Sequence, residues 1–316
     1  MGSKRDSPLL TFRPMRLSDR ARVEEICAKT FFGNDYVPKL LDMWVTDTAS
    51  NTFFAGEVDG VLAGFCNVRL IDGGTTGWLE GLRVAEDMRG RGFGQRLLDE
   101  SIRVALGDLK AVRVRYSTGS FNTASVNMAL TSGMRMPEQL HWYRTRRVDE
   151  IPVRVAPKSE STLALTTASL PALRELLGHL SEAEHKALVP HRMLNVNWKF
   201  YEGDMPDDDP ELVVVVETTA DGQLASFSIA TIAWNSGVGA SWSLSIFALD
   251  TTSLHRHVLH HVRLAIARDC KDFQVFCPLG FREWFVTQGL IGLALENHED
   301  VQCLVLEIAA GDPRKK

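Results

Sequence analysis

Residues 82–94 decide the fold and run Leu82-Arg83-Val84-Ala85-Glu86-Asp87-Met88-Arg89-Gly90-Arg91-Gly92-Phe93-Gly94. The pattern before them, from Gly77 to Val84, predicts a strand. Side chains alternate along a strand, so one face is predicted to carry Trp78, Glu80, Leu82 and Val84. From Phe93 to Leu106, apolar residues recur at helical spacing instead. The stretch therefore predicts a strand, a glycine-rich turn and a helix in direct succession.

The turn from Arg89 to Gly94 suits a pyrophosphate. Its three glycines let the backbone pass close to a ligand. The start of the following helix adds unpaired N–H groups and a partial positive charge, and Arg89 and Arg91 can add charge-assisted hydrogen bonds. Two common nucleotide motifs do not fit. The glycines are not in the register G-x-G-x-x-G, and no Lys-Ser/Thr pair ends the turn.

The pattern Arg89-x-x-Gly92-x-Gly94 after Leu82-Arg83-Val84 resembles the acetyl-CoA signature of the GNAT superfamily of N-acetyltransferases. The resemblance covers roughly Thr11 to Arg147. It implies an α/β (α+β) fold whose mixed, splayed central sheet is flanked by helices, and it implies acetyl-CoA as co-substrate with no metal. The cofactor-binding residues that it implies are Leu82, Arg83, Val84, Arg89, Gly90, Arg91, Gly92, Phe93, Gly94 and Asn122.

The resemblance continues into the helix that follows Asn122. In the family this helix flanks the cofactor, and its asparagine commonly contacts the pantetheine arm. Many GNAT enzymes also carry a tyrosine there that protonates the departing thiolate, and the matching position here is Ala129. Asn127, Tyr143 and solvent remain as alternative proton donors, since a thiolate is a modest base.

A closer similarity, to the histidine N-acetyltransferase group of animals, bears on the amine that accepts the acetyl group. It implies that the acetyl group goes to the α-amine of a free amino acid, histidine first. Asn34, Asp35 and Tyr36 are the predicted acceptor-binding residues, and the alternative for them is a helix-capping loop. The residues that carry this similarity are Gly33-Asn34-Asp35-Tyr36-Val37-Pro38, Trp44, Asp72-Gly73-Gly74 and Glu80-Gly81-Leu82-Arg83-Val84.

Glu80 is the predicted catalytic base. A carboxylate on the cofactor strand can remove the amine proton directly or through water. The structural alternative is a partly buried acid paired with Arg83 or Arg113.

Length and spacing predict two halves in a chain of 316 residues. We expect a GNAT domain at residues 11–147, a linker at 148–161 and an α/β domain at 162–310. The second half repeats the order of elements without a glycine-rich turn, which is the pattern of a degenerate GNAT-like domain. It either shapes the acceptor site or is an independent binding module.

Composition narrows the partners. A net charge of −5 gives no reason to expect nucleic-acid binding. No apolar run or leader indicates a membrane or an export signal, and the five scattered cysteines suggest reduced thiols, so we expect a cytoplasmic protein. His257 and His261 lie one helical turn apart, but a solvated helix face with half-buried imidazoles is the favoured interpretation over a metal site. The oligomeric state is left open.

Three functions remain at this stage. The first is an acetyltransferase for a free amino acid as small-molecule acceptor. The second is an acetyltransferase for another amine, such as a protein N-terminus, a lysine or a small amine. The third is a non-catalytic acyl-CoA sensor, which Ala129 keeps open.

Overall fold

A computed structural model describes residues 10–151, 164–202, 205, 210–235, 239–287 and 301–312. The described residues form two compact units. The first comprises residues 10–116, 122–135 and 306–312, and the second comprises residues 117–121 and those described between 136 and 305. Most of the predicted linker, residues 152–161, lies outside the described residues.

The N-terminal unit is a mixed sheet with helices, as predicted. Strands β1 to β4 pair antiparallel in chain order, and β4 then pairs parallel with β5. The strands are β1 (Leu10–Pro14), β2 (Asn51–Val58), β3 (Val61–Ile71), β4 (Thr76–Val84) and β5 (Arg113–Gly119), and the helices are α1 (Arg20–Cys27), α2 (Val37–Thr46), α3 (Phe93–Arg103) and α4 (Thr123–Thr131). The predicted strand–turn–helix over β4 and α3 is confirmed.

Two helices of this unit adjoin other helical turns. A 3₁₀ turn, Leu17–Asp19, precedes α1, which ends at Cys27. Helix α3 stops at Arg103 and continues as a π-helical segment, Val104–Asp108. Ala105 of that segment lies against Gly77 of β4, where an added Cβ would be 2.7 Å from the alanine Cβ.

The end of the chain belongs to the N-terminal unit. Arg115 on β5 is fully buried and donates from Nε to Glu307 Oε2 at 3.1 Å. Arg135 donates to the other oxygen of Glu307 at 3.0 Å. These charge-assisted bonds hold the pKa of Glu307 below its ordinary value against the opposing effect of burial. The last strand is therefore tied to β5 by a buried ion pair.

The C-terminal unit repeats the order of the first. Strands β10, β11 and β12 pair antiparallel, and β12 pairs parallel with β13 after the intervening helix α7. The remaining elements of the chain are β6 (Arg135–Thr145), β7 (Leu165–Ala168), α5 (Leu170–Gly178), α6 (Glu182–Leu188), β8 (Leu194–Val196), β9 (Lys199–Tyr201), β10 (Val213–Thr218), β11 (Leu224–Asn235), β12 (Gly239–Phe247), α7 (Thr251–Ala267), β13 (Asp272–Pro278), α8 (Arg282–Thr287) and β14 (Gln302–Ala309). The last strand, β14, has its residues from Leu306 onward in the N-terminal unit.

The histidines of α7 correct the sequence interpretation. His257 and His261 are fully buried rather than on a solvated face. No group of three or more metal-ligating side chains occurs among the described residues. Burial lowers the pKa of His257 to about 3 and that of His261 well below its ordinary value. Both imidazoles are therefore neutral parts of the core.

A chain of hydrogen bonds accounts for their burial. The Ser226 hydroxyl donates to Glu217 at 2.6 Å, so its oxygen accepts from Nε2 of His257 at 3.0 Å. Nδ1 of His257 then accepts from the Ser228 hydroxyl at 2.8 Å, and that oxygen accepts from Nε2 of His261 at 2.8 Å. Each ring thus makes its bonds as a neutral tautomer.

We expect the C-terminal unit to lose stability as the pH falls below 6.5, the ordinary histidine value. The unfolded chain binds protons there and the folded core does not, so stability is fully present above that pH and is lost towards the folded pKa of about 3. Urea unfolding between pH 7 and pH 5 measures this. The slope approaches ~1.4 kcal/mol per pH unit for each such histidine.

The matched variants are His257→Gln in the core and His179→Gln at an exposed position. The first reduces the slope whatever its own stability, and the second keeps the native slope. Identical slopes in native protein and His257→Gln would contradict the assignment.

Candidate functional site

Strand β4 carries a bulge at Gly81 and Leu82. Glu80 and Arg83 pair with β3 residues that are only two positions apart, so both bulge residues stand opposite Cys66. Gly81 has φ of +70°. An extra residue with left-handed backbone at the first bulge position is the usual reason for a glycine inside a strand.

The bulge overturns the predicted common face of β4. The side chains of Trp78 and Glu80 lie on one face of the strand. Because the bulge adds a residue, the side chains of Leu82 and Val84 lie on the other face. The Cγ2 atom of Val84 lies near Gly94 of α3, 3.7 Å from where a Cβ on that glycine would be. Glu80 is thus on the opposite side of the sheet from the end of the strand that faces α3.

Gly81 also fixes the approach of α2. A Cβ at this position would come within 2.9 Å of the Trp44 ring and 3.2 Å of Val37 Cγ2. The Gly81 N–H donates to the Tyr36 hydroxyl oxygen at 3.1 Å. The amide that the bulge releases from the β-ladder is therefore bonded to the loop between α1 and α2.

That loop is held to β4 by a buried ion pair. Arg83 donates from Nε and Nη2 to Asp35 at 2.7 and 3.1 Å, and the Asp35 side chain is 1% exposed. Asp35 also accepts from the Val37 N–H at 3.1 Å. The rings of Phe31 and Tyr36 lie 5.3 and 5.5 Å from the guanidinium carbon. The guanidinium is thus bonded to both the Asp35 carboxylate and the Leu82 carbonyl.

The predicted acceptor residues thus have structural contacts. Asp35 holds the loop, and burial raises the pKa of the Tyr36 hydroxyl to about 12. The Tyr36 residue is nevertheless 37% exposed, so part of its ring faces solvent. Asn34 is partly buried beside it. The loop combines the capping role of the alternative interpretation with an exposed aromatic surface next to β4.

Glu80 is oriented by a relay of two asparagines that the sequence interpretation did not identify. Asn51 donates to the backbone carbonyl and the carboxylate of Asp47 at 3.1 and 3.2 Å. Its carbonyl oxygen therefore accepts from Asn67 Nδ2 at 2.9 Å, and the same Nδ2 donates to Glu80 Oε1 at 3.3 Å. The backbone carbonyl and the carboxylate of Asp47 can only accept hydrogen bonds, so Asn51 directs its Nδ2 to Asp47 and its carbonyl oxygen to Asn67. Asn67 therefore directs its Nδ2 to Asn51 and to Glu80.

The space next to Gly90 and Gly92 of the glycine-rich turn, called the cradle below, is open. Gly90 and Gly92 have φ of +73° and +76°, and a Cβ on either would meet nothing within 4 Å. Gly92 is the N-cap of α3 and offers no side-chain acceptor to the first amides of that helix. Those amides, from Phe93 onward, have no partner within the helix. They are placed to bind an anion.

The two arginines of the turn are exposed. Arg89 donates from Nε to the Val84 carbonyl at 3.2 Å, and Arg91 contacts the Met88 sulfur at 3.9 Å. Gly94 packs closely against α4, since a Cβ there would be 2.9 Å from the Met128 sulfur.

The parallel strands β4 and β5 separate near the turn. Their pairing runs from Thr76 to Trp78 on β4, and it does not continue along the described residues towards Leu82 and Val84. The Leu82 carbonyl accepts from Arg83 Nη1 at 2.9 Å. The splayed strand pair that the sequence resemblance implied is present.

Helix α4 places the remaining predicted residues. The Asn122 side chain caps the helix by accepting from the Ser125 N–H at 3.4 Å. Ala129 is fully buried, and Asn127 is exposed. Tyr143 instead stacks on Phe285 in the core of the C-terminal unit.

Tyr116 on β5 is the tyrosine that contacts α4. Its hydroxyl donates to the Ser125 carbonyl at 2.9 Å and accepts from the Ser125 hydroxyl at 3.1 Å. Burial raises its pKa to about 12.

The corresponding helix of the C-terminal unit differs at its start. Asp250 is the N-cap of α7 and accepts from the Thr252 and Ser253 N–H groups, both at 2.8 Å. Its carboxylate satisfies these amides and would repel a phosphate. The start of α7 is therefore unsuited to binding an anion, in contrast to the start of α3.

Part of the chain is similar to known acetyltransferases. Residues 20–134 match the model of the Acetyltransferase (GNAT) family. One curated relative, the histidine N-acetyltransferase of Xenopus tropicalis, is 34% identical over 85 residues, and the match covers 26% of this chain and 26% of that protein.

Solved structures resemble the chain over both halves. A GCN5-related N-acetyltransferase from Sphaerobacter thermophilus matches with a TM-score of 0.60 at 13% identity, covering 95% of each chain. A putative acetyltransferase from Thermoplasma acidophilum gives 0.56 at 16% identity, covering 95% of this chain and 100% of that one. A tandem GNAT protein from the clavulanic acid pathway gives 0.56 at 13% identity, covering 96% and 99%. These likenesses establish the fold, including a second GNAT-like half.

No helix among the described residues combines the length and the hydropathy needed to cross a membrane. All five cysteines are buried as free thiols.

The open cradle predicts a specific effect of a methyl group at Gly92. Gly92→Ala places a Cβ in the space above the turn, and we expect acetyl-CoA affinity to fall at least ~10-fold, equivalent to ~1.4 kcal/mol. Isothermal titration calorimetry measures it.

Gly60→Ala is the matched control. Gly60 has the same φ of +76° and open surroundings, but it lies in the turn between β2 and β3. Both variants carry the same backbone strain of ~1 kcal/mol. Equal affinity in the two variants would show that the cradle does not bind the cofactor.

Proposed function

We propose that the chain is a cytoplasmic, acetyl-CoA-dependent N-acetyltransferase that acetylates the α-amine of a free amino acid, L-histidine first, by direct attack in a ternary complex. The observation that carries the proposal is the position of Glu80. It lies at the bulge of β4, receives a hydrogen bond from Asn67, and is on the opposite side of the sheet from Val84 and the cofactor turn.

The cofactor is proposed to bind along one path. Gly90 to Gly94 and the first amides of α3 hold the pyrophosphate, with Arg89 and Arg91 adding charge. The backbone of Leu82 and Val84, past the point where β4 and β5 separate, pairs with the pantetheine arm. Asn122 lies at the start of α4 to contact the same arm. The thioester then ends next to the bulge.

In the transfer step the amine nitrogen attacks the thioester carbonyl carbon. Glu80 accepts a proton from the amine, the carbon–sulfur bond breaks, and coenzyme A leaves as a thiolate. The hydrogen bond from Asn67 Nδ2 to Oε1 holds the orientation of the Glu80 carboxyl group. The attack becomes effectively intramolecular once both substrates are bound.

The thiolate is proposed to take its proton from solvent. The pKa of Tyr116 is about 12, and that of an ordinary thiol is ~8.5. Proton transfer from this tyrosine to the thiolate would therefore be uphill by more than three pKa units. Tyr116 is better suited to holding β5 against α4. With solvent as the proton donor, the reaction needs no tyrosine at the position of Ala129.

The choice of acceptor rests on the local similarity around the α1–α2 loop and on the 34% identical segment of the histidine N-acetyltransferase, which spans about a quarter of that protein. Thiol release from acetyl-CoA with a panel of free amino acids and peptides separates the alternatives. Turnover of peptides alone would favour a protein acceptor, and cofactor binding without turnover would favour a sensor.

We expect Glu80→Gln to lower turnover by ~10²–10⁴ with little change in cofactor affinity, because it removes the proton acceptor and keeps the size. Raising the pH narrows the gap, since free α-amine becomes more abundant without help from the enzyme. The pH–rate profile and the melting temperature are measured on one preparation.

Glu24→Gln on the exposed face of α1 is the control and should behave as native protein. Normal turnover in Glu80→Gln would remove this residue as the base. A lower melting temperature with normal turnover of the folded fraction would assign it a structural role.

A further inference from the structure

Strand β3 carries an arginine on the same face as the asparagine relay. Arg69 is two residues after Asn67, and side chains two apart share a face. Arg69 pairs across with Trp78, and Asn67 pairs with Glu80. Arg69 and Glu80 are thus diagonal neighbours on adjacent strands, at ~7–8 Å between backbones.

Arg69 differs from two other arginines of this unit that are withdrawn from solvent. Arg83 is paired with Asp35, and Arg115 with Glu307. The Arg69 residue is partly buried, yet its guanidinium makes no hydrogen bond and no ion pair with any of the described residues. A partly desolvated guanidinium without an anion is costly unless a ligand supplies one.

A second unsatisfied group lies between these two charges. Asn67 is fully buried, and its Oδ1 has no hydrogen-bond partner. The relay from Asp47 through Asn51 fixes the amide with Nδ2 towards Glu80, so Oδ1 is left as an acceptor. The patch therefore contains a carboxylate, an unused acceptor and an unused guanidinium.

We propose that Arg69 binds the α-carboxylate of the acceptor while its amine lies at Glu80. This inference rests on the proposed function, because it takes Glu80 as the group facing the amine. A guanidinium binds a carboxylate through two parallel N–H bonds. The α-amine and α-carboxylate of an amino acid are joined through one carbon, which matches two oppositely charged side chains on neighbouring strands.

The proposal assigns a substrate class. A free amino acid neutralises Arg69, whereas a peptide N-terminus brings an uncharged amide to that position and a lysine side chain brings a methylene chain. Leaving a partly buried charge unsatisfied is penalised strongly, because binding sites reject analogues that lack a required polar partner. Free amino acids are thus selected over peptides and over amino-acid amides.

The test compares L-histidine with L-histidinamide, which differ only at the carboxyl group. Native protein is expected to use histidine at least ~10²-fold better in kcat/KM. Arg69→Gln raises KM for histidine by a similar factor, leaves kcat nearly unchanged and leaves histidinamide unaffected. Arg69→Lys keeps the charge without the two-pronged geometry and falls between. Arg103→Gln, at a more exposed arginine on α3, is the control.

The outcomes separate the two proposals. If Arg69→Gln is folded by its melting temperature and still prefers histidine as native protein does, the carboxylate assignment is overturned. Turnover of peptides but not of free amino acids overturns it too, while the acetyltransferase assignment stands. If no amine is turned over, the proposed function fails. Calorimetric titration of histidine then decides on Arg69 alone, and equal affinity in native protein and Arg69→Gln rejects it.

Discussion

The bulge at Gly81 is the constraint on which the rest of the N-terminal unit depends. One additional residue opposite Cys66 reverses the alternation of β4. Glu80 remains on the side of α2, and Val84 turns towards α3 and the glycine-rich turn. A regular strand would place both side chains on one face, with Glu80 on the side of α3. The bulge also releases an amide to the α1–α2 loop.

The ion pair between Arg83 and Asp35 builds on that bulge. Buried ion pairs contribute little net stability, because desolvation offsets most of the attraction. Their geometry is nevertheless demanding, and here two guanidinium nitrogens and a backbone amide fix one carboxylate. The ion pair therefore serves placement more than stability. It sets the distance between the α1–α2 loop and the strand that carries Glu80.

The sequence predicted what local signals encode. The strand, glycine turn and helix around residues 82–94 were predicted from periodicity, and the helix expected after Asn122 is α4, Thr123–Thr131. The common face of β4 was predicted wrongly, since only Gly81 hints at a bulge inside a regular alternation. Asn67 and Arg69 could have been noticed as polar residues in an apolar strand, but their roles depend on cross-strand partners. The buried histidines depend on the distant Glu217 in the same way.

The two units share one order of elements but differ at the start of the helix that joins their parallel strands. Helices α3 and α7 each follow a strand that starts a parallel pair. At α3 the N-cap is a glycine, so the amides remain available and the dipole attracts an anion. At α7 the N-cap is an aspartate, which satisfies the amides and adds a negative charge. A single residue type at one capping position thus decides whether the helix start can accept a phosphate. The fold alone does not determine it, and that is why the proposed cofactor site lies in the N-terminal unit.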